Sequence, residues 1–324
     1  MNRHLLPVAA ALLLSLAAPA PAAPPREPKF LLKAKAEKET VKLLEKIPVT
    51  LTLQSRSTRP ASVGKIALGT PNGLVFDIKT GRGKFQVSRL FGKYATGEFK
   101  ADTPVRESLK PGASLTATVN ILALIPGTME ITPVYLGIEA SDWPESIEAK
   151  PVTVTVEAGA GGETKVGAKI RTSAGVMTAE LYPERAYNTV HNFLWLAQDG
   201  FYTKRVFHRI VKDFMVQTGC PRGDGGGDPG YFIAAEFNDL KHEKGVLSMA
   251  RQGVHVNTAG SQFFVMLGTN TVLDRQYTGF GRVVEGMDVL DALGNTPVRV
   301  GAGGERSDPV VKPSLDGVDP VLLK

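Results

Sequence analysis

Apolar and polar positions alternate with a period of two through much of the first half of the chain. Val152, Val154 and Val156, for example, are separated by threonines. This period is typical of strands with one buried face. Pro-Gly and Pro-Asn-Gly turn signals, such as Pro111-Gly112, interrupt runs rich in Val, Ile, Leu and Thr. We therefore expect about seven short strands over residues 30–157, arranged as an antiparallel β-sandwich.

The pattern changes after a Gly-rich linker at residues 158–163. Residues 168–181 predict a hairpin, because two alternating segments flank a Ser-Ala-Gly turn. Residues 189–199 and 285–293 have apolar positions at helical spacing, and Gly follows each of these segments. Strands together with two helices predict a closed β-barrel capped by helices over residues 164–324.

The beginning of the chain has the composition of a secretory signal peptide. Residues 1–22 contain a short basic start, an apolar stretch and the small-residue pattern Ala20-Pro21-Ala22. A transmembrane anchor is the alternative, but the apolar stretch is shorter than the roughly 20 residues that a spanning helix needs. We expect cleavage there, a linker at residues 23–29, and no later membrane segment. The mature protein is then exported, periplasmic in a Gram-negative host and otherwise secreted.

Composition limits the chemistry more than it defines it. The hydrophobic share of 43% and the charged share of 22% are those of an ordinary globular protein. The single cysteine, Cys220, rules out a disulfide framework within the chain and any multi-cysteine metal site. The net charge of +6 comes from the first half, where a Lys-rich stretch spans residues 29–46. That stretch could bind an anionic surface or nucleic acid, but it has almost no interleaved aromatic residues, so we interpret it as a solvated strand face and expect no nucleic-acid partner.

Residues 207–283 contain a series of specific motifs. In order, they are Phe207-His208-Arg209-Ile210, Phe214-Met215-Val216-Gln217, Glu236-Phe237, Leu247-Ser248-Met249-Ala250, Gly260-Ser261-Gln262-Phe263-Phe264, Leu273-Asp274 and Phe280-Gly281-Arg282-Val283. Together they resemble the cyclophilin-type peptidyl-prolyl cis-trans isomerases, particularly bacterial members, from about residue 165 to the C-terminus. The first half more weakly resembles the immunoglobulin-like modules of bacterial exported proteins.

The resemblance implies an isomerase that acts on X-Pro bonds of proline-containing polypeptides. Rotation about such a bond is opposed by amide resonance, with a barrier of ~18–20 kcal/mol, and needs no nucleophile, metal or cofactor. A donor aimed at the prolyl nitrogen weakens the resonance, and an Arg suits this role because it stays charged and presents a fixed fork of N–H groups. By its match to the family, Arg209 is the expected catalytic donor, with Gln217 as the residue that orients it. His208 is expected to be structural, since the reaction needs no base.

The remaining expected site residues also come from the resemblance. Phe214, Met215 and Phe264 match the proline-ring pocket, with Leu273 at its edge. Gln262 forms a polar pair with Gln217, and Tyr277 stands where the family usually has a histidine. Ala250 and Arg251 line the groove for residues that precede the proline. Plain hydrophobic core is the alternative for the apolar members of this set, and a surface salt bridge is the alternative for Arg209.

Two functions of different classes remain open from the sequence. The first is an exported isomerase whose N-terminal module positions it or holds clients, with no partner of that module identified. The second is a non-catalytic scaffold or chaperone that binds prolyl segments. Val272, where many eukaryotic members have tryptophan, and Tyr277 are the two departures from the pocket pattern.

Overall fold

The structure is a computed structural model of the chain that describes residues 30–64, 66, 74–89, 106–135, 146–162, 164–253, 255–301 and 303–324. The predicted signal peptide at residues 1–22 and the linker at residues 23–29 lie outside this part of the chain. Among the described residues, no helix combines the length and the apolar character needed to cross a bilayer.

The first half consists of strands. They are β1 (Phe30–Ala36), β2 (Thr40–Lys42), β3 (Lys46–Ser55), β4 (Ala61–Gly64), β5 (Leu74–Thr80), β6 (Gly83–Val87), β7 (Arg106–Leu109), β8 (Ser114–Leu122), β9 (Gly127–Tyr135), β10 (Ile147–Glu148) and β11 (Val152–Glu157). About seven strands were expected from the sequence, and that number was too low. β2, β4, β7 and β10 have only two to four residues each, which is too short for an alternating pattern to show.

These strands form a three-stranded sheet in the order β1-β3-β8, a six-stranded sheet with the path β2-β11-β9-β5-β6 and β10 paired to β9, and the pair β4-β7. All the pairings are antiparallel except that of β2 with β11. Alternate side chains of β3, from Ile47 to Leu53, are completely buried. On the other face, the Thr50 hydroxyl lies 2.8 Å from that of Thr118 on β8. The alternation around Val154 predicted β11 correctly. The immunoglobulin-like sandwich stays a prediction.

A single turn of 3-10 helix, Ala160–Gly162, lies in the Gly-rich linker that joins the two halves. The second half contains β12 (Lys165–Thr172), β13 (Gly175–Leu181), α1 (Tyr187–Gln198), β14 (Arg205–Val206), β15 (Arg209–Val211), β16 (Met215–Thr218), β17 (Val246–Met249), β18 (Phe263–Met266), a second 3-10 turn (Thr271–Leu273), β19 (Gly279–Glu285), α2 (Met287–Gly294), β20 (Val298–Val300), β21 (Arg306–Pro309) and β22 (Ser314–Leu323). Nine of these strands form one sheet in the order β14-β22-β12-β13-β19-β17-β18-β16-β15, and β20 pairs with β21 as a separate hairpin.

The prediction of a closed barrel was wrong, because in the described residues the end strands β14 and β15 do not pair with each other. They are consecutive in the chain, separated only by Phe207 and His208. The Phe207 N–H donates to Pro313 O at 2.9 Å, while the His208 N–H donates to Gln217 O at 3.2 Å. The segment from residue 205 to residue 211 therefore supplies both end strands of the sheet. These two strands follow each other end to end in the chain, so they cannot pair side by side.

Both predicted helices are confirmed, with ends that differ by up to two residues from the sequence-based bounds. The Ala186 side chain cannot cap α1, so its first N–H groups need acceptors from elsewhere in the chain. The carboxylate of Glu236 accepts hydrogen bonds from the N–H groups of Asn188 at 3.0 Å and Thr189 at 2.8 Å. A carboxylate at a helix N-terminus also interacts favourably with the helix dipole.

The two halves of the chain meet at α1. The Tyr187 hydroxyl donates to Leu122 O at 3.2 Å, and the Leu122 N–H donates to Nε2 of His191 at 3.1 Å. Ser88 and Asn188 exchange a pair of hydrogen bonds, at 3.2 Å and 3.0 Å. Buried apolar side chains of both halves form one contiguous core. The N-terminal half is therefore packed directly on the second half, with buried polar contacts between them.

Candidate active site

Arg209 and Gln217 face each other on neighbouring strands. They are register partners in the antiparallel pair β15 and β16. Side chains of directly opposed residues lie on the same face of a sheet, so the two polar groups meet. One terminal nitrogen of Arg209, Nη1, donates to Oε1 of Gln217 at 3.3 Å and lies 3.8 Å from the Met215 sulfur.

A polar chain continues from Gln217 along the sheet. Its Nε2 donates to Oε1 of Gln262 at 3.0 Å. Gln262 in turn donates to the carbonyl oxygens of Gly225 and Gly227, each at 2.8 Å. The two glutamines that the sequence singled out therefore lie together, and a Gly-rich loop at residues 223–230 holds the second of them in place.

Nine of the ten predicted site residues surround one cavity of about 180 Å³. They are Arg209, Phe214, Met215, Gln217, Ala250, Arg251, Phe264, Leu273 and Tyr277. Its apolar walls come from separate elements, namely the turn before β16, β16 itself, β18 and the 3-10 turn at residues 271–273. The tenth residue, Gln262, lines a neighbouring cavity of about 310 Å³ that shares Gln217, Ala250 and Arg251 with the first. The two cavities adjoin through these shared residues and form one groove.

Aromatic packing shapes the rim of the smaller cavity, which Arg209 lines. The rings of Phe264 and Tyr277 meet edge to face, with centroids 5.8 Å apart. The Arg251 guanidinium lies 4.6 Å from the centroid of the Tyr277 ring and donates to Gln276 O at 3.1 Å. Tyr277 is therefore held between an aromatic ring and a cation, which fixes this side of the rim. Val272, by contrast, is 79% exposed beside the rim.

A buried polar network packs behind Phe264, and sequence reasoning missed it. His242 contacts Asp274 Oδ1 through Nδ1 at 3.2 Å and Ser248 Oγ through Nε2 at 2.9 Å. Its ring stacks behind Phe264 with centroids 6.3 Å apart, and burial lowers the pKa of His242. Ser248 is completely buried, so the set is a support for the pocket wall and not a nucleophilic triad open to substrate. The Leu273-Asp274 motif was the only signal, since it places this carboxylate next to a pocket residue.

Glu305 is a second site residue that sequence reasoning missed. Its carboxylate accepts two hydrogen bonds from Arg209, from Nε at 2.8 Å and from Nη2 at 2.9 Å. Hydrogen bonding by Arg209 lowers the pKa of Glu305. No motif surrounds Glu305 in the sequence, and it lies 96 residues from its partner.

His208 and Cys220 lie near the site but line neither of the two cavities. Burial lowers the pKa of His208 to about 4, which leaves the imidazole neutral at pH 7. Cys220 is completely buried, and its sulfur accepts the N–H of Gly227 at 3.3 Å. In the part of the chain that the structure describes, no three His, Cys, Asp or Glu side chains are grouped as metal ligands.

Comparison with known proteins agrees with the geometry of the site. The family model described as "cyclophilin type peptidyl-prolyl cis-trans isomerase/CLD" matches residues 168–313. "Peptidyl-prolyl cis-trans isomerase-like 1" of Aspergillus fumigatus is 48% identical over 129 residues, which cover 38% of this chain and 78% of that protein. A peptidyl-prolyl cis-trans isomerase of Synechococcus elongatus is 44% identical over 128 residues, covering 39% of this chain and 87% of the relative.

Among solved structures, a cyclophilin type peptidyl-prolyl cis-trans isomerase of Cryptosporidium parvum is 30% identical, with a TM-score of 0.45 over 49% of this chain and 98% of its own. The two sequence relatives are matched over more than three quarters of their lengths at identities well above 30%. The chain therefore belongs to the family of cyclophilin-type peptidyl-prolyl cis-trans isomerases.

Proposed function

We propose that this enzyme accelerates X-Pro isomerisation by a hydrogen bond from Arg209 to the prolyl nitrogen, and that its substrates are exported proline-containing proteins. One observation carries the mechanism: Arg209 lines one cavity together with the apolar side chains of Phe214, Met215 and Phe264, and it is linked to Gln217. The cavity accepts the proline ring, and the guanidinium then lies next to the bond that must rotate.

The chemistry follows from amide resonance. In the planar ground state the nitrogen lone pair is delocalised into the carbonyl, whereas in the twisted state it is localised on nitrogen and becomes a good acceptor. A hydrogen bond from Arg209 is therefore stronger in the twisted state, and only such differential stabilisation raises the rate. Hydrogen bonds that involve a charged group contribute about 1.5–3 kcal/mol, and each ~1.4 kcal/mol is a factor of ten in rate.

Apolar residues hold the proline and polar residues hold the backbone. Phe214, Met215 and Phe264 supply the surface for the ring, and Leu273 and Tyr277 close the rim. Gln217 and Gln262 offer amide groups to the peptide backbone, and Ala250 and Arg251 border the residues that precede the proline. No covalent intermediate or cofactor takes part in this scheme.

The test compares wild type with Arg209→Ala in a protease-coupled assay on a proline-containing peptide, using the mature chain. We expect kcat/KM to fall about 10- to 100-fold, with peptide affinity largely retained and the circular dichroism spectrum unchanged. Equal turnover in the two proteins would refute the role of Arg209. A wild type that binds the peptide without turnover would instead indicate a prolyl-binding scaffold.

Export rests on the composition of residues 1–22. N-terminal sequencing of the protein recovered from an expressing cell tests this proposal. A mature chain that begins near residue 23 supports it, and an intact Met1 contradicts it.

A further inference from the structure

We infer that Glu305 is the positioning residue of the catalytic arginine. Its carboxylate accepts hydrogen bonds from one edge of the Arg209 guanidinium and so orients the remaining N–H groups toward the substrate. This inference rests on the proposed role of Arg209. The bidentate contact, at 2.8 Å and 2.9 Å, is the geometry in which an Arg fork and a carboxylate match best.

The distribution of donors around the guanidinium supports this role. An Arg has five N–H groups in a fixed plane. Glu305 takes one on Nε and one on Nη2, and Gln217 takes one on Nη1. One N–H on each terminal nitrogen is left for a substrate, with the Met215 sulfur, a weak acceptor, beside Nη1. Two polar partners on different edges define the plane of the guanidinium, whereas Gln217 alone would leave it able to rotate.

Glu305 acts from outside the cavity. It is not among the residues that line the pocket, so it reaches the substrate only through Arg209. Its side chain extends from the β20–β21 hairpin, which is not part of the nine-stranded sheet. Two backbone hydrogen bonds join described residues at the hairpin end: Gly301 N donates to Glu305 O at 2.9 Å, and Gly304 N donates to Gly301 O at 3.0 Å.

The Arg209–Glu305 pair is partly exposed to solvent, and its two hydrogen bonds fix its orientation. The side chain of Arg209 is 35% exposed and that of Glu305 is 45% exposed. A half-exposed Arg without a fixed partner samples many rotamers, and a misplacement of 1 Å at a catalytic group can lower the rate by up to about 100-fold. The benefit of Glu305 is therefore a larger fraction of enzyme molecules with the donor in the productive orientation.

The hairpin offers a matched control. Asp308 forms an ion pair with Arg299 at 2.8 Å on the same hairpin, and neither residue lines the cavity. Asp308→Asn removes a charge from the same element without touching Arg209. A loss of activity caused only by loosening of the hairpin would appear in both the Asp308 and the Glu305 variants.

The experiment measures kcat/KM and peptide Kd for the full chain and for Glu305→Ala, Glu305→Gln, Asp308→Asn and Arg209→Ala. We expect kcat/KM to fall about tenfold in Glu305→Ala, with Kd changed less than twofold. Glu305→Gln should be intermediate, because the amide oxygen keeps one acceptor, and Asp308→Asn should match wild type. In an Arg209→Ala background, Glu305→Ala should cause no further loss, since the two residues act as one unit.

Several results would overturn the inference. They are a Glu305→Ala activity within twofold of wild type or above it, a Kd that weakens in proportion to kcat/KM, an equal loss in Asp308→Asn, or an additive loss in the double variant. The proposed function is judged separately by Arg209→Ala. If that single variant keeps full activity, the catalytic role of Arg209 is refuted whatever Glu305 does. If it loses activity while Glu305→Ala does not, only the positioning role is refuted.

Discussion

Acidification should weaken the contact between the two halves of this protein, through His191. The imidazole is completely enclosed at the junction, where Nε2 accepts the Leu122 N–H at 3.1 Å. Its ring stacks on Trp195 with centroids 5.9 Å apart. Burial, and then the charge of nearby Arg89, lowers the pKa of His191 to about 3. A proton on Nε2 would also remove the acceptor that Leu122 uses.

The sign and size of the effect follow from proton linkage. In the unfolded chain His191 titrates near pH 6.5, so between about pH 6.5 and pH 3 the unfolded state binds one more proton there than the folded state does. The free energy of unfolding therefore decreases as the pH falls through 6.5 and stops decreasing near pH 3. At pH 5, roughly 1.5 units below the pKa in the unfolded chain, protonation of the unfolded state lowers the free energy of unfolding by about 2 kcal/mol. The full pKa shift would lower it by about 5 kcal/mol.

His191→Gln isolates this contribution, because a glutamine oxygen can accept the Leu122 N–H but does not titrate. We expect urea unfolding, followed by tryptophan fluorescence, to show that wild type loses about 2 kcal/mol more stability than the variant between pH 7 and pH 5. Other buried groups, such as His208, are present in both proteins and cancel in the difference. A difference below about 0.5 kcal/mol would refute a buried neutral His191 at the junction.

Two further substitutions test the packing around the site and the junction. Phe264→Ala should reduce the free energy of unfolding by roughly 3–5 kcal/mol, because the ring is buried among Met215, Tyr277 and His242. The same substitution should weaken peptide binding. An unchanged urea midpoint would contradict this prediction. Tyr187→Phe removes the hydroxyl that donates to Leu122 O at 3.2 Å and should lower the free energy of unfolding by about 1 kcal/mol in the same assay. The value of kcat/KM should not change, since Tyr187 does not line the cavity. A loss of activity in Tyr187→Phe would mean that the junction is coupled to the groove.

Local patterns in the sequence predicted one hairpin and both helices of the second half. The hairpin of β12 and β13 and both helices are where the periodicity placed them. Short strands such as β10 were missed, because two residues cannot show a period. The family resemblance implied which side chains would share a cavity, and nine of the ten lie around it.

What the sequence determined by itself was therefore the hairpin and the two helices, whereas the expected groove residues came from the family resemblance. Only the tertiary structure decided how the sheet ends, which carboxylate holds Arg209 and what faces His191. Both ends of the sheet lie on one segment, where the Phe207 N–H donates to Pro313 O and the His208 N–H donates to Gln217 O. The Glu305 and Leu122 contacts join residues 96 and 69 positions apart. The physical reason is that periodicity records which face of an element is buried, whereas the partner on that face depends on how distant segments pack.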